Sequence, residues 1–342
     1  MKQKLLVDIS TASVIRVILV LLSFWFLYIV RDIIAVVFVS IIVSAALSPL
    51  VDKLGKFKIP RALSIAIIYL LSLGIMGVVV YFVLPPMISQ IKQLANNLPN
   101  YFLVFSNFIN NLNDIGSGSW ISTSQANLQS VSTFLGSFVN NIFNTTLGVI
   151  NGATALIAIF ILTLYFLLDQ NGIKKFFVSL IPIKQKGKIV SLANKVGLKL
   201  GGWLRGQIIL AITVGLIVYV GLLILKMPYA LTLGILAGAL EIIPVIGPII
   251  AAIPAILIAF TIAPTTALII TIFYIFVQEL ENKLLVPKVM QYAVGLNPVT
   301  IIIIVLIGAK LMGILGILLS VPVAAVIYVV LEEWPLLSES KK

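Results

Sequence analysis

In the stretch "GALEIIPVIGPIIAAIPA" a carboxylate, Glu241, interrupts an otherwise apolar run, and Pro244, Gly247 and Pro248 follow within seven residues. An ionisable side chain inside a membrane costs about 2.5–3.5 kcal/mol or more, and by default it marks a functional site. A helix broken at membrane depth also leaves backbone N–H and C=O groups free to hold anions or cations. The chemistry these residue types support is therefore the binding of a proton, a cation or a small solute. Gly234, Gly238 and Glu241 are spaced by four and three residues, so they share one helix face. Small residues there let a neighbouring helix approach, which turns the carboxylate toward the bundle. A carboxylate near the interface that caps a helix start, or that pairs with Lys310, fits the same letters.

Lys310 lies in a second interruption, "GAKLMGILG", between Gly308 and Gly313 and ahead of Gly316. It is a candidate partner for Glu241 if the two breaks meet; the alternative is a lysine reaching for an interface. A third polar group comes from "VQELENKLLVPK". On a helix its Gln278, Glu281 and Asn282 share a face with Glu279 roughly opposite. That face can line a cytoplasmic mouth or supply cation ligands, and a helix end solvated at the membrane surface would read the same way.

The elements that must position these groups follow from composition. Of 342 residues 61% are hydrophobic and only 10% charged, against about 45–50% and about 25% in soluble domains. Apolar runs long enough to cross about 30 Å of hydrocarbon recur. They are continuous, which excludes the alternation of a β-barrel. The expected fold is all-α: a polytopic helical membrane protein. The first apolar run has the length of a span and no clear small-residue cleavage site, so it is expected to remain as a span. Without cysteine there are no disulfides or thiolate metal sites, and without histidine the commonest metal ligand and neutral-pH switch are missing. No metal site or cofactor is expected. There is no G-x-x-x-x-G-K-[ST] loop, no GxSxG elbow and no Ser-His pair, so the chain does not read as an enzyme.

Spans are expected at about 14–30, 33–51, 62–84, 146–168 and 207–225, with the two-residue link Arg31-Asp32 returning the chain between the first two. Lys53, Lys56, Lys58 and Arg61 follow the second span, and eight basic residues against one acid fill 169–206. Loops rich in Lys and Arg face the cytoplasm, which places both segments and both termini there, in a multi-pass protein of the cell membrane. The net charge of +12 is thereby explained by orientation and lipid headgroups, not nucleic acid. Residues 86–145 are rich in Asn and Ser and read as an amphipathic helical excursion on the other side. The stretches 230–262 and 299–331 each hold 33 residues, about 50 Å as helix. Each is long for one span and short for two, so a re-entrant hairpin fits; two tight spans give the same parity. This organises the chain as N-terminal transmembrane helices 1–85, the excursion 86–145, a helix plus basic cytoplasmic segment 146–206, a core 207–334 with two broken hairpins, and a tail 335–342.

The stretches "LEIIPVIGPIIAAIPA", "VQELENKLLVPKVM" and "VGLNPVTIIIIVLIGAKLMGILGILLSVPVAAV" closely resemble the autoinducer-two exporter (AI-2E) family of prokaryotic membrane proteins, and the resemblance extends over most of the chain. The family's signature maps onto Glu241, Pro244, Gly247, Pro248, Gln278, Glu281, Asn282 and Pro287, then Gly295, Leu296, Pro298, Gly308, Gly313, Gly316 and Pro322. The resemblance implies about eight transmembrane segments and secondary transport. Its cargo would be a small polar solute such as the quorum-sensing signal autoinducer-two, exported with protons or cations. The alternative it carries is Na⁺(Li⁺)/H⁺ antiport. A non-transporting scaffold or a passive channel stays open as well, as does assembly into a homo-oligomer. The expected partners are the lipid bilayer and the solute, monovalent cation or proton.

Overall fold

Lipid offers no hydrogen bonds, so a chain this apolar must satisfy its backbone within each segment, and helices do so. The computed structural model describes residues 11–82, 85–86, 89–90, 93, 97, 154–169, 186–243, 246–289 and 298–338; these form helices and short turns, with no strand among them. In chain order the helices are α1 (Thr11–Ile29), α2 (Arg31–Gly55), α3 (Arg61–Phe82), α4 (Thr154–Leu168), α5 (Lys186–Ile224), α6 (Ala230–Leu240), α7 (Ile246–Ile262) and α8 (Pro264–Leu280). A single π-helical turn, Glu281–Leu285, carries α8 into α9 (Val286–Val289), and α10 (Pro298–Ser338) completes the described chain. By length and composition α2, α5 and the Leu315–Glu333 part of α10 can cross a membrane, and six shorter apolar helices accompany them. The chain is a polytopic helical membrane protein.

Two boundaries differ from the sequence reading. Residues 186–206 of the basic segment and the fifth span, divided at 206/207 by charge, form one 39-residue helix, α5, about 58 Å long. Lysines do not interrupt a helix, so a change of charge marks a change of solvent without a change of backbone. At the Arg31-Asp32 link, helical hydrogen bonds run through the junction: Val30 N–H donates to Phe26 O and Ile34 N–H to Val30 O, both at 3.0 Å. Val30 sits at φ −90°, ψ 5°, close enough to helical that the link bends the rod without reversing it. Of the excursion 86–145, only residues 86, 89, 90, 93 and 97 fall among those described. Gln90 there accepts hydrogen bonds from the Thr232 backbone N–H (3.2 Å) and hydroxyl (2.7 Å), at the start of α6.

Helix α5 is the axis. Its N-terminal half packs on α2 and α10 through Leu200 and Trp203 against Ala35, Ile42, Leu319 and Val321. Its C-terminal half packs on α6, α7 and α8 through Val218 and Leu222 against Leu233, Ile258 and Ile270. A smaller cluster joins α2, α3 and α4 at Val51, Ile65 and Leu167. Because lipid is as apolar as leucine, close backbone approach has to supply much of the cohesion. At the α5–α6 crossing, a Cβ on Gly238 would collide with Ala211 O, and one on Gly234 with Tyr219 Cβ. At the α2–α5 crossing, Gly201 lies against Ala45 O in the same way. Pro49, inside α2, lacks the N–H that would have bonded that carbonyl. Arg205 Nη1 takes its place, donating to Ala45 O at 3.2 Å and Ala46 O at 3.0 Å.

The two apolar stretches of 33 residues both fold back. The first gives α6 and α7 as the arms of a hairpin broken at Glu241. The second reverses within α10 at Gly313, whose φ of 59° and ψ of −133° are not helical and suit a residue without Cβ. Gly308 and Gly316 touch backbone to backbone, although eight residues of straight helix would hold them about 12 Å apart.

Candidate functional site

Helix α6 ends at Leu240 because its next residues build a tight turn. Glu241 is the C-cap, its N–H donating to Ala237 O; Ile243 N–H donates to Leu240 O and Gly247 N–H to Ile243 O. A Cβ on Gly247 would strike Leu240 O, so only glycine lets α7 begin so close to the end of α6. Pro248 lies in the first turn of α7, where a missing N–H costs nothing. Pro244, expected in the same break, lies outside the described residues. The last carbonyls of α6 have no intrahelical donors. That of Glu241 is satisfied by Gln207 of α5, whose side-chain amide donates to it at 2.6 Å. Gln207 is itself buried.

The Glu241 side chain is 3% exposed and points into the bundle, toward α8. There the π turn begins at Glu281, 5% exposed, and the two carboxyl groups lie within hydrogen-bonding reach of each other. One oxygen of each, Oε2, is buried without a hydrogen-bond partner among the described residues. The C-terminal end of α6 adds partial negative charge at the same point. Two carboxyls and a negative helix end, with no Lys or Arg paired to either acid among the described residues, make a site that attracts a proton or a cation.

The wider turn re-aims its neighbours, as i→i+5 bonding places one extra residue in the turn. Glu281 and half-buried Gln278 line a cavity of about 280 Å³ between α5, α6, α7 and α8. Asn282 does not join them: it is exposed. Glu279 is also exposed and pairs with Lys283 at 2.5 Å. Lys310 is not brought to the site either. It is exposed and makes no ion pair with Glu241, because the α10 hairpin rests on α5 and α2 while α6 rests on the other half of α5 and α7 on α6 and α8. Gly308, Gly313 and Gly316 thus shape a second hairpin away from the acidic pair. What touches its apex is Arg31, whose Nη1 donates to Leu311 O at 3.3 Å.

Sequence reasoning missed three members of this region. Gln207 opens the apolar part of α5 and is its one buried amide side chain; a lone amide at the mouth of a span was the available signal. Thr271 and Tyr274 line the cavity from α8, and the Tyr274 hydroxyl is buried without a partner. Nothing local distinguishes that tyrosine from the other nine in the chain.

The family model described as AI-2E family transporter matches residues 15–336. Two Bacillus subtilis (strain 168) proteins, YueF and YrrI, both named "Putative transport protein", are similar along most of their length. YueF is 32% identical over 291 residues, 82% of this chain and 78% of its own. YrrI is 29% identical over 319 residues, 90% of this chain and 88% of its own. A Mycobacterium tuberculosis (strain CDC 1551 / Oshkosh) protein of the same naming, MT0215, is 23% identical over 309 residues, 88% of this chain and 83% of its own.

Proposed function

Since the chain belongs to the AI-2E transporter family, and is thus a multi-pass membrane transporter, we propose that it is a secondary transporter coupled through the Glu241–Glu281 pair. The observation that carries this reading is the contact of two buried carboxyls at a helix break, beside a cavity. Carboxyls this close do not both stay ionised without a proton or cation between them. Exchanging that ion as the hairpin changes its exposure would drive solute movement. The broken α6–α7 hairpin supplies the moving part, since irregular backbone at membrane depth lines such sites in transporters. The cargo is read as a small solute exported from the cell, and the family's name makes autoinducer-two the first compound to assay. The basic 53–61 and 169–206 segments are taken as cytoplasmic by charge bias, in the cell membrane.

Antiport of Na⁺ or Li⁺ against H⁺ is the second reading, favoured by the absence of a basic partner for either acid among the described residues. Purified protein in liposomes with a pH-sensitive dye inside separates the two. Na⁺- or Li⁺-driven proton flux that disappears in Glu241→Gln establishes antiport. Absence of that flux, together with Glu241-dependent efflux of loaded autoinducer-two, establishes export. A correctly inserted protein that does neither sinks the coupling reading.

A further inference from the structure

The cavity beside Glu281 has two unlike ends. Over most of its wall it is lined by Val214 and Val218 of α5 and by Ala252, Ile253 and Ile256 of α7. It reaches the apolar surface of the protein between α7 and α8, where Ile249 and Ile275 are 60% and 58% exposed. The polar groups are confined to one wall, formed by α8 and the start of the π turn: Thr271, Tyr274, Gln278 and Glu281. Thr271 spends its hydroxyl hydrogen on Ala267 O. The Tyr274 hydroxyl and Glu281 Oε2 are buried and have no hydrogen-bond partner among the described residues, in side chains 8% and 5% exposed. No Lys or Arg contributes to the lining.

These features sort ligand classes. A buried polar group left without a partner costs about 1–3 kcal/mol. A polyhydroxylated solute would present several hydroxyls to Val, Ala and Ile and leave them in that condition. An anion would meet the Glu281 carboxyl, with that of Glu241 close behind it. A molecule with an apolar body and a cationic head would fill the apolar part and bring N–H donors to Glu281 Oε2 and the Tyr274 oxygen, two acceptors otherwise unused. Binding pockets for drug-sized ligands run from about 300 to 1,000 Å³, so about 280 Å³ suits one ring or a short alkyl chain.

We propose that this cavity binds a small amphiphilic amine as its ammonium ion, the head at Glu281 beside Glu241 and the apolar body between α5 and α7. The assignment rests on the carboxyl-pair reading of transport and deepens it by naming the class of cargo this cavity takes, in place of the polar solute that the family's name suggests. The exchange balances: one ammonium arrives, the proton shared by the two carboxyls leaves to solvent, and the charge of the site is unchanged. The opening toward the apolar surface lets an amphiphile enter from the bilayer.

The test is calorimetric titration of the purified full-length protein in detergent with 2-phenylethylammonium, repeated in buffers of different ionisation enthalpy to count released protons. The expected result is saturable binding with proton release and no binding of phenylacetate. The uncharged 2-phenylethanol should bind at least about tenfold more weakly, the loss of one charge-assisted contact. Glu281→Gln should abolish the binding. Tyr274→Phe, which removes a single oxygen, should weaken it several-fold while the protein stays folded by size exclusion and melting. No ammonium binding by the folded wild type, equal binding of phenylacetate, or binding indifferent to Glu281→Gln overturns the assignment. Cation-driven proton flux in liposomes, measured on the same preparation, keeps the two readings apart. Flux without ammonium binding overturns the cargo class alone; ammonium binding with neither this flux nor Glu241-dependent solute efflux upholds the cavity assignment and removes the coupling reading.

Discussion

The α6–α7 hairpin and the α10 hairpin look alike in sequence and differ in what they enclose. Each comes from an apolar stretch of 33 residues with small residues at its break and a charge at or near it. In the first, Glu241 is buried and meets a second acid from α8. In the second, Lys310 is exposed and the break is one glycine at positive φ. The difference lies outside the hairpins. The first is flanked by α5 with its buried Gln207 and by α8 with its π turn. The second leans on α5 and α2, and at its apex Arg31 donates to Leu311 O. Breaker residues therefore encode the reversal of the chain, while the neighbours decide whether the reversal becomes a site.

The contrast can be broken most severely by exchanging the roles of the two charges. Glu241→Gln removes the charge and keeps the shape, so proton-coupled flux in liposomes should fall to background with the melting temperature nearly unchanged. Lys310→Gln should leave flux intact and shift stability by no more than about 0.5 kcal/mol, as at other exposed positions. If Lys310→Gln abolishes flux instead, the two hairpins are equal partners and the contrast fails.

Next in size are the tight backbone contacts, which predict that the hairpins are alike in packing. Gly247→Ala would drive a methyl into Leu240 O and Gly316→Ala into Gly308 O. Overpacking costs about 1–3 kcal/mol, so thermal melts in detergent should drop for both. Only Gly247→Ala should also disturb coupling, because only that break holds the acid. An effect of similar size is expected for Gln207→Leu, which leaves the Glu241 carbonyl without its donor. It should destabilise by about 1–3 kcal/mol and alter the apparent cation affinity more than the melting point. Smallest is Asn282→Ala, on the exposed side of the π turn, which should be silent in flux; a strong loss there would mean that Asn282 reaches the site.

How far the sequence could be read follows the same division between local and tertiary causes. The apolar runs and both reversals were legible, since length in lipid and the conformational limits of Gly and Pro act locally. The close approach of α5 to Gly234 and Gly238 was legible from their spacing, and the structure has it. Both acids were legible as candidates, because charge in an apolar setting stands out. Their contact was not: Glu241 and Glu281 are forty positions apart, and symmetry between the two breaks suggested Lys310 as the partner. The π turn has no single-residue signature, so Asn282 was counted on the same face as Gln278 and Glu281. Likewise the continuity of α5 was hidden, because its lysines report the solvent around the helix and not the end of the helix.

The central claim is that Glu241 and Glu281 act as one ion site. Its most direct test is transport in liposomes, measured both as cation-driven proton flux and as solute efflux, for Glu241→Gln, Glu281→Gln and the double variant, each shown folded and inserted. Residues working as one unit are grossly non-additive. Either single change is expected to lower flux as far as the double change does. A single variant that keeps wild-type flux, or two partial losses that add up in the double variant, would contradict it.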